Sequence, residues 1–402
     1  MFLGKNSHLT YCTNIHPGET WEEVFESLKK YCIHIKNKLS SDKPFGIGLR
    51  LSQKSAVQLL EGKKLEEFKN WLLSNHLYIF TMNGFPYGDF HNVVIKDQVH
   101  TPDWTTKERV DYTSDLITIL AHLLPENMDG GISTSPLSYK LWFNDDIKIN
   151  KVKLKSTQSL IKIVNQLVEI KKTTGKLIHI DIEPEPDGFL ENTQEVIDFY
   201  KDYLLNYGKS ELQENLNCSS KEAKAHILDH LQLCYDVCHF ALAYELPEEV
   251  ISKLNNEGIK IGKIQISAAL KCVKSDVVSL ENQQLCLQQF DEPTYLHQAI
   301  TKDKNGNFKH FSDLKEGIKA MNDPDFEEIR THFHVPIFIS DFEVLNSTQD
   351  DIILALDLWK KNKYSSHLEV ETYTWGVLPE DLQTDIAGSI IRELDWVIKQ
   401  LN

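Results

Sequence analysis

Five stretches of this 402-residue chain place carboxylates, imidazoles and an amide where short apolar runs end. Leu177-Ile-His-Ile-Asp-Ile-Glu-Pro-Glu-Pro186 leaves its run through two prolines, which sets Glu183 at the rim as a carboxylate able to ligate or bridge cations. The alternating spacing puts Asp181 and Glu185 on the same side if the backbone stays extended. The competing reading makes these acids caps of the following helix. In Cys234-Tyr-Asp-Val-Cys-His239, Asp236 and His239 stand three residues apart and can face one cavity. Cys234 and Cys238 read as small buried residues, because a cysteine-rich zinc site uses closer, repeated spacings. Lys263-Ile-Gln-Ile-Ser-Ala-Ala269 offers Gln265, through its amide oxygen, and Ser267. In Thr331-His-Phe-His-Val-Pro336 an extended backbone projects His332 and His334 the same way; the alternative is two part-buried imidazoles bound to backbone carbonyls. Leu368-Glu-Val-Glu-Thr-Tyr-Thr-Trp375 closes the series with Glu371. Together Glu183, Asp236, His239, Gln265, His332, His334 and Glu371 complete a cage for divalent metal, whose identity and whose number of ions, one or two, spacing leaves open.

Around this set lie candidates for holding a substrate. His8, Asn14 and His16 surround the first apolar run, and Thr81-Met-Asn-Gly-Phe-Pro-Tyr-Gly-Asp-Phe-His91 combines glycine, proline and aromatics in the manner of a shaped loop. The competing reading of that loop is a rigid turn packed by Phe85 and Tyr87. From these regions His16, Arg50, Asn83, His91, Tyr373 and Trp375 are the residues expected to hold hydroxyls or an aromatic ring.

Such residues need a scaffold, and the chain supplies β-rich runs alternating with amphipathic segments, the pattern of βα units on a parallel sheet. The strands are expected at 9–15, 46–51, 77–82, 132–135, 177–182, 231–235, 263–266 and 367–370. Residues 21–39 show helical spacing of Trp21, Val24, Phe25 and Leu28, with Thr20 and Glu23 placed as a capping box. Eight units favour a closed (β/α)8 TIM barrel over an open doubly wound sheet, and no Gly-x-Gly-x-x-Gly loop follows the first strand. In such a barrel the polar residues after each strand converge on one mouth. A minimal barrel takes about 250 residues, so the surplus is expected in loops. The largest is an insertion at about 270–330, with a hairpin at Lys304-Asn305-Gly306-Asn307.

Composition narrows the partners. A net charge of −16 repels a phosphate backbone, so nucleic acid is not expected. The seven cysteines are scattered without a CxxC pair, which argues against a disulfide framework. No apolar run approaches the roughly 20 residues of a membrane span, and no secretory leader is seen, so the expected location is the cytoplasm.

The order of Glu183, Asp236-x-x-His239, His332-x-His334 and Glu371 resembles the xylose isomerase-like superfamily, which includes endonuclease-type members. His8-Leu-Thr-Tyr-Cys-Thr-Asn-Ile-His16, Phe80-Thr-Met-Asn-Gly-Phe-Pro-Tyr-Gly88, Asp181-Ile-Glu-Pro-Glu-Pro186 and Cys234-Tyr-Asp-Val-Cys-His239 resemble the metabolite-traffic protein EboE family. The superfamily resemblance implies Glu183, Asp236 and Glu371 as principal carboxylate ligands and His239, His332 and His334 as a second metal position. Gln265 stands where many relatives use histidine, a departure that weakens the first site or favours manganese or magnesium over zinc. The implied function is a metal-dependent isomerase or epimerase-like enzyme acting on a small molecule in secondary-metabolite production or export, with Glu183 and Glu371 as its catalytic carboxylates. A noncatalytic metabolite carrier serving a membrane protein of the same pathway is the alternative, and an endonuclease-type phosphodiesterase the third reading.

Overall fold

The computed structural model describes residues 1–4, 6–88, 96–292, 296–342, 344–376, 378 and 385–402. Eight strands run parallel: β1 (Ser7–Tyr11), β2 (Phe45–Arg50), β3 (Leu77–Asn83), β4 (Gly130–Thr134), β5 (Ile178–Ile182), β6 (Leu231–Asp236), β7 (Ile261–Ile266) and β8 (His367–Val370). Their order in the sheet is β1-β8-β7-β6-β5-β4-β3-β2, with the short strand Phe2–Gly4 antiparallel against β1. The two ends of that order meet. Cys12 and Gly48 form a parallel bridge, and the Thr10 hydroxyl donates to Gly46 O at 2.8 Å and accepts from Gly48 N at 3.1 Å. The sheet is thereby closed, and the chain is a (β/α)8 TIM barrel.

Helices cross over outside the ring. Trp21–Leu39 starts where expected, with both bonds of the Thr20–Glu23 capping box formed. Its Trp21, Val24, Leu28, Cys32 and Ile35 are buried against the barrel, and each large apolar side chain so covered contributes roughly 1.5–3 kcal/mol. The first strand is shorter than the sequence suggests, ending at Tyr11. Thr13–Ile15 then turns as a 3-10 helix, which brings Asn14 over the mouth.

Between β7 and α-helix Gln349–Asn362 the chain builds a second, antiparallel sheet from Ala268–Val273, Ala299–Asp303, Phe308–Phe311, Phe326–Val335, Asp341–Phe342 and Leu345–Ser347. The hairpin at 304–307 is present, pairing Ala299–Asp303 with Phe308–Phe311. This sheet extends past residue 330, because Phe326–Val335 is one of its inner strands. That strand carries both histidines of the His-x-His pair. Its pairing with Ala268–Val273 is interrupted: Thr331 faces Leu270 while His334 faces Ala269. The bulge re-aims the strand where it meets the barrel mouth. Phe333 turns the other way, edge-on against Phe290.

The barrel interior is polar over much of its depth. Lys263 of β7 and Glu369 of β8 form a wholly buried ion pair at 2.7 Å, and the ammonium also donates to Met82 O and the Ser133 hydroxyl. Space for it comes from β2: a Cβ on Gly48 would stand 1.7 Å from Glu369 Oε1. Among the described residues no helix is long and apolar enough to cross a membrane, and all seven cysteines are free thiols.

Candidate metal centre

Three imidazoles meet at the C-terminal mouth. His239 lies in the first turn after β6, where Asp236 caps the helix Val237–Leu242 by accepting from His239 N at 3.2 Å. His332 and His334 arrive from the second sheet. The Nδ1 of His239 is 2.8 Å from Pro184 O, and that of His334 is 2.9 Å from Glu371 O. The His332 Nδ1 is 2.9 Å from Gln298 Oε1, and Gln298 is oriented by donating its Nε2 to Pro186 O at 3.1 Å. Carbonyl oxygens only accept, so each Nδ1 must carry the hydrogen. Every Nε2 is left with a lone pair, and these lone pairs converge.

His239 Nε2 and His332 Nε2 lie 3.0 Å apart, and the ligand atoms of all three histidines fall within 4.8 Å of one another. His334 Nε2 is buried with no hydrogen-bond partner. Protonation does not relieve this. Burial, reinforced by His239 and His334, holds the His332 imidazole well below its ordinary pKa, and burial lowers His334 to about 4. Three inward ring nitrogens, each ring oriented by an outer acceptor, fit a metal ion.

Carboxylates flank the imidazoles. Asp236 groups within ligand distance both with Glu183 and His239 and with Cys238 and His334, so it borders both sides of the centre. Its Oδ1 also accepts from the Ser267 hydroxyl at 2.7 Å. Glu183 at the end of β5 accepts from Gln265 at one oxygen, while Oε2 is buried without a partner on the cavity wall. Glu371 is more tightly tied: Oε1 accepts from Asn14 at 2.7 Å and Asn83 at 3.0 Å, and Oε2 accepts from Gln265. Burial and the neighbouring carboxylates push Glu183 well above the usual carboxylate range and Glu371 to about 8.

Gln265 departs from the ligand role expected of it. Its amide nitrogen, with its oxygen turned to Cys234, faces Glu183 and Asp236 at 3.2 Å each as well as Glu371. It thus sits among three carboxylates as a neutral donor. The reason is electrostatic: three acids crowded at the bottom of a buried mouth need hydrogen-bond donors, and the amide supplies them.

The cavity above measures about 610 Å³ counted to its open mouth, and Asn14, Asn83, Phe85, His100, Glu185 and Tyr373 complete its walls. Tyr373 packs on His334 with ring centroids 4.7 Å apart. Two expected substrate contacts are therefore in the cavity, Asn83 and Tyr373. Others are not. Arg50 is drawn away by Glu19 at 2.9 Å and by the Gly18 and Gly88 carbonyls. His16 bonds to Tyr11, stacks on Tyr31 and shares a separate cleft with Arg50. Trp375 is buried beside Phe338. His8 lies far down β1, bonded to Tyr78, and His91 falls outside the described residues. The loop after β3 is shaped as expected up to Gly88. Buried Arg109 donates to Gly84 O and Phe85 O, and Asn83 Oδ1 accepts from Phe85 N.

Sequence reading did not single out His100 or Gln298. His100 is buried, lies 3.7 Å from Glu185 Oε2, and is held at a pKa of about 3 by burial and by Arg109. Burial pushes Glu185 the other way, so the two face the cavity as a neutral pair.

No family model matches the chain, and no curated protein matches it. Solved structures similar to it include the IOLI protein with a bound zinc atom, at 12% identity and a TM-score of 0.45 over 98% of each chain. A D-tagatose 3-epimerase-like protein is similar at 13% identity and a TM-score of 0.48, again over 98% of each chain. A xylose isomerase-like TIM barrel protein from Mycobacterium smegmatis in complex with magnesium is similar at 12% identity and a TM-score of 0.47, over 98% of this chain and 96% of that one. The barrel assignment here stands on strand order and closure.

Proposed function

We propose that the mouth holds a divalent cation through His239, His332 and His334 together with Asp236 and Glu183, and that the protein is a metal-dependent isomerase or epimerase-like enzyme. The observation that carries this is the convergence of three imidazole lone pairs whose outer nitrogens are all committed to oxygen acceptors. The substrate is a small polyhydroxylated carbonyl compound. A cation at this position supplies Lewis-acid polarisation of a carbonyl and its adjacent hydroxyl.

The chain's own residues do the rest. Glu183 Oε2, unpartnered on the cavity wall, takes the proton from the carbon beside the carbonyl and returns it to the neighbouring carbon on the same face. Starting material and product then have the same atoms and the same oxidation level. Glu371, held by three amides, is the fixed carboxylate that keeps Asn14 and Asn83 pointed across the mouth. His100 and Glu185 form the opposite wall, where a neutral imidazole and a carboxylic acid can bond to hydroxyls. Three glutamates and one rim lysine, Lys96, line the cavity among the described residues, which disfavours a phosphodiester substrate.

The strings that resemble the EboE family support placing the reaction in secondary-metabolite production or export, in the cytoplasm and beside a membrane protein of that pathway. Incubating manganese-loaded protein with ketoses and hydroxy ketones in deuterated water tests the chemistry. Deuterium should enter the substrate carbon, and Glu183→Gln should slow its entry about 100-fold or more. A compound that binds tightly and exchanges nothing would make the protein a carrier.

A further inference from the structure

The opposite end of the barrel carries a second cluster of ligand-type side chains. We propose that Asp129, His179 and His367 form a zinc site at the N-terminal end of the barrel, apart from the mouth. Asp129 immediately precedes β4, His179 is on β5 and His367 begins β8. In the closed ring β4 and β8 are diametrically opposed, so an ion here ties the barrel across its width.

The three ligand atoms fall within 4.8 Å of one another. His179 Nε2 is 3.9 Å from Asp129 Oδ2, and His367 Nε2 is 3.8 Å from Asp129 Oδ1. Two ligands on a tetrahedral zinc, each at about 2.1 Å, stand roughly 3.4 Å apart, so each histidine–Asp129 separation must contract by about half an ångström, and the two imidazoles, within 4.8 Å of each other, must close in with them. The outer contacts are already made. His179 Nδ1 donates to the Asp181 carboxylate at 2.6 Å, which fixes Nε2 as the atom toward Asp129; against the pull of burial that carboxylate also raises the ring's pKa, so zinc displaces the Nε2 proton on binding. The Ser366 hydroxyl donates to Asp129 at 2.7 Å. His367 Nε2 is also 3.3 Å from the Asp129 carbonyl. Moving that hydrogen to Nδ1, which has no partner, points it to the side of Gly131 where Asp181 Oδ2 is likewise unpartnered. Oxygen and imidazole ligands with one position left for water suit zinc.

Two glycines show that the room is built. A Cβ on Gly131 would stand 2.5 Å from Asp181 Oδ2 and 2.9 Å from His367 Nδ1; one on Gly262 would stand 1.9 Å from Asp181 Oδ1 and 2.7 Å from His179 Nδ1. Glycine inside a strand weakens it and marks a close approach of other groups. An open cleft lined by Gln232, Asn255, Lys260 and Ser366 brings solvent to Asp129.

The test uses untagged full-length protein, stripped with chelator, re-equilibrated with micromolar zinc and assayed for zinc per chain by mass spectrometry. A His332→Ala/His334→Ala variant, which lacks the mouth centre, should retain one zinc, and adding Asp129→Asn should remove it with an unchanged circular dichroism spectrum. Zinc-free His332→Ala/His334→Ala protein that is folded, or zinc retained when Asp129→Asn is added to that double variant, overturns the proposal. If the double variant does not fold, Asp129→Asn alone should lower the wild-type content by one zinc per chain, and no fall overturns it. Failure of the mouth centre reads differently, as equal zinc in wild type and His332→Ala/His334→Ala.

Discussion

The Nε2 atoms of His239 and His332 face each other at 3.0 Å, with both Nδ1 hydrogens engaged elsewhere. Gln298 enforces this on the His332 side. Replacing it by methionine frees the ring to change tautomer, and loss of such an outer contact typically costs 10- to 100-fold in metal affinity. Gln298→Met should therefore weaken manganese binding about 10-fold or more in competition with a chromophoric chelator. Unchanged affinity would show that the ring needs no outer partner.

Gln265 is a donor among three carboxylates. Gln265→Leu removes that donor and leaves buried carboxyl oxygens without their partner, a loss worth about 1–3 kcal/mol. Urea denaturation in chelator should show a loss in that range, with part of it regained on adding divalent ion. Gln265→His should be tolerated better and should raise the number of ions bound. A Gln265→Leu protein as stable as wild type in chelator would contradict this arrangement.

The raised carboxyl groups give the metal-free protein a definite pH dependence. Glu371 rises from its ordinary 4.5 to about 8, through burial and then Asp236 and Glu369. Glu393 also reaches about 8, through burial. In that window these two groups keep protons in the folded state that the unfolded state gives up, so their contribution to stability falls as pH rises from about 4.5 to about 8. In chelator the melting temperature should drop between pH 7 and pH 8, above the range in which the buried, neutral His100, His332 and His334 give the opposite slope. Divalent ion should flatten most of that slope, and Glu393→Gln should remove a part that the ion does not touch. A melting temperature that rises between pH 7 and pH 8 in chelator would contradict the burial of these acids.

Lys263 and Glu369 are paired with no solvent exposure. Lys263→Met leaves Glu369 buried and alone, a change worth about 3–5 kcal/mol, whereas replacing both by apolar residues is often close to neutral. Lys263→Met should be strongly destabilised in urea titrations, and Lys263→Met/Glu369→Leu should recover most of the loss. Equal losses in the single and double variants would mean that the pair is not coupled.

Much of the barrel was legible because its strands are apolar runs cut off by polar residues and followed by capped helices. His367–Val370 is observed as read, and Thr20 and Glu23 form their box. The rim residues Glu183, Asp236 and Glu371 were legible for the same reason, since each follows a strand. The interior was not. Lys263 and Glu369 are 106 residues apart, and only the inter-strand register brings them together. Arg50 and His16 show another limit: spacing tells which strand end a residue occupies, but not that Glu19 or Tyr31 will capture it. His100 and Gln298 reach the mouth on segments whose path is set by packing, and no local pattern marks them.

The most direct test of the metal centre is a crystal structure of the protein soaked in manganese or zinc, with anomalous scattering collected at the metal's absorption edge. A peak within ligand distance of His239 Nε2, His332 Nε2 and His334 Nε2, lost in His334→Ala crystals, is the predicted result. An empty mouth with the three rings unmoved, at metal concentrations that saturate ordinary three-histidine sites, would contradict the account.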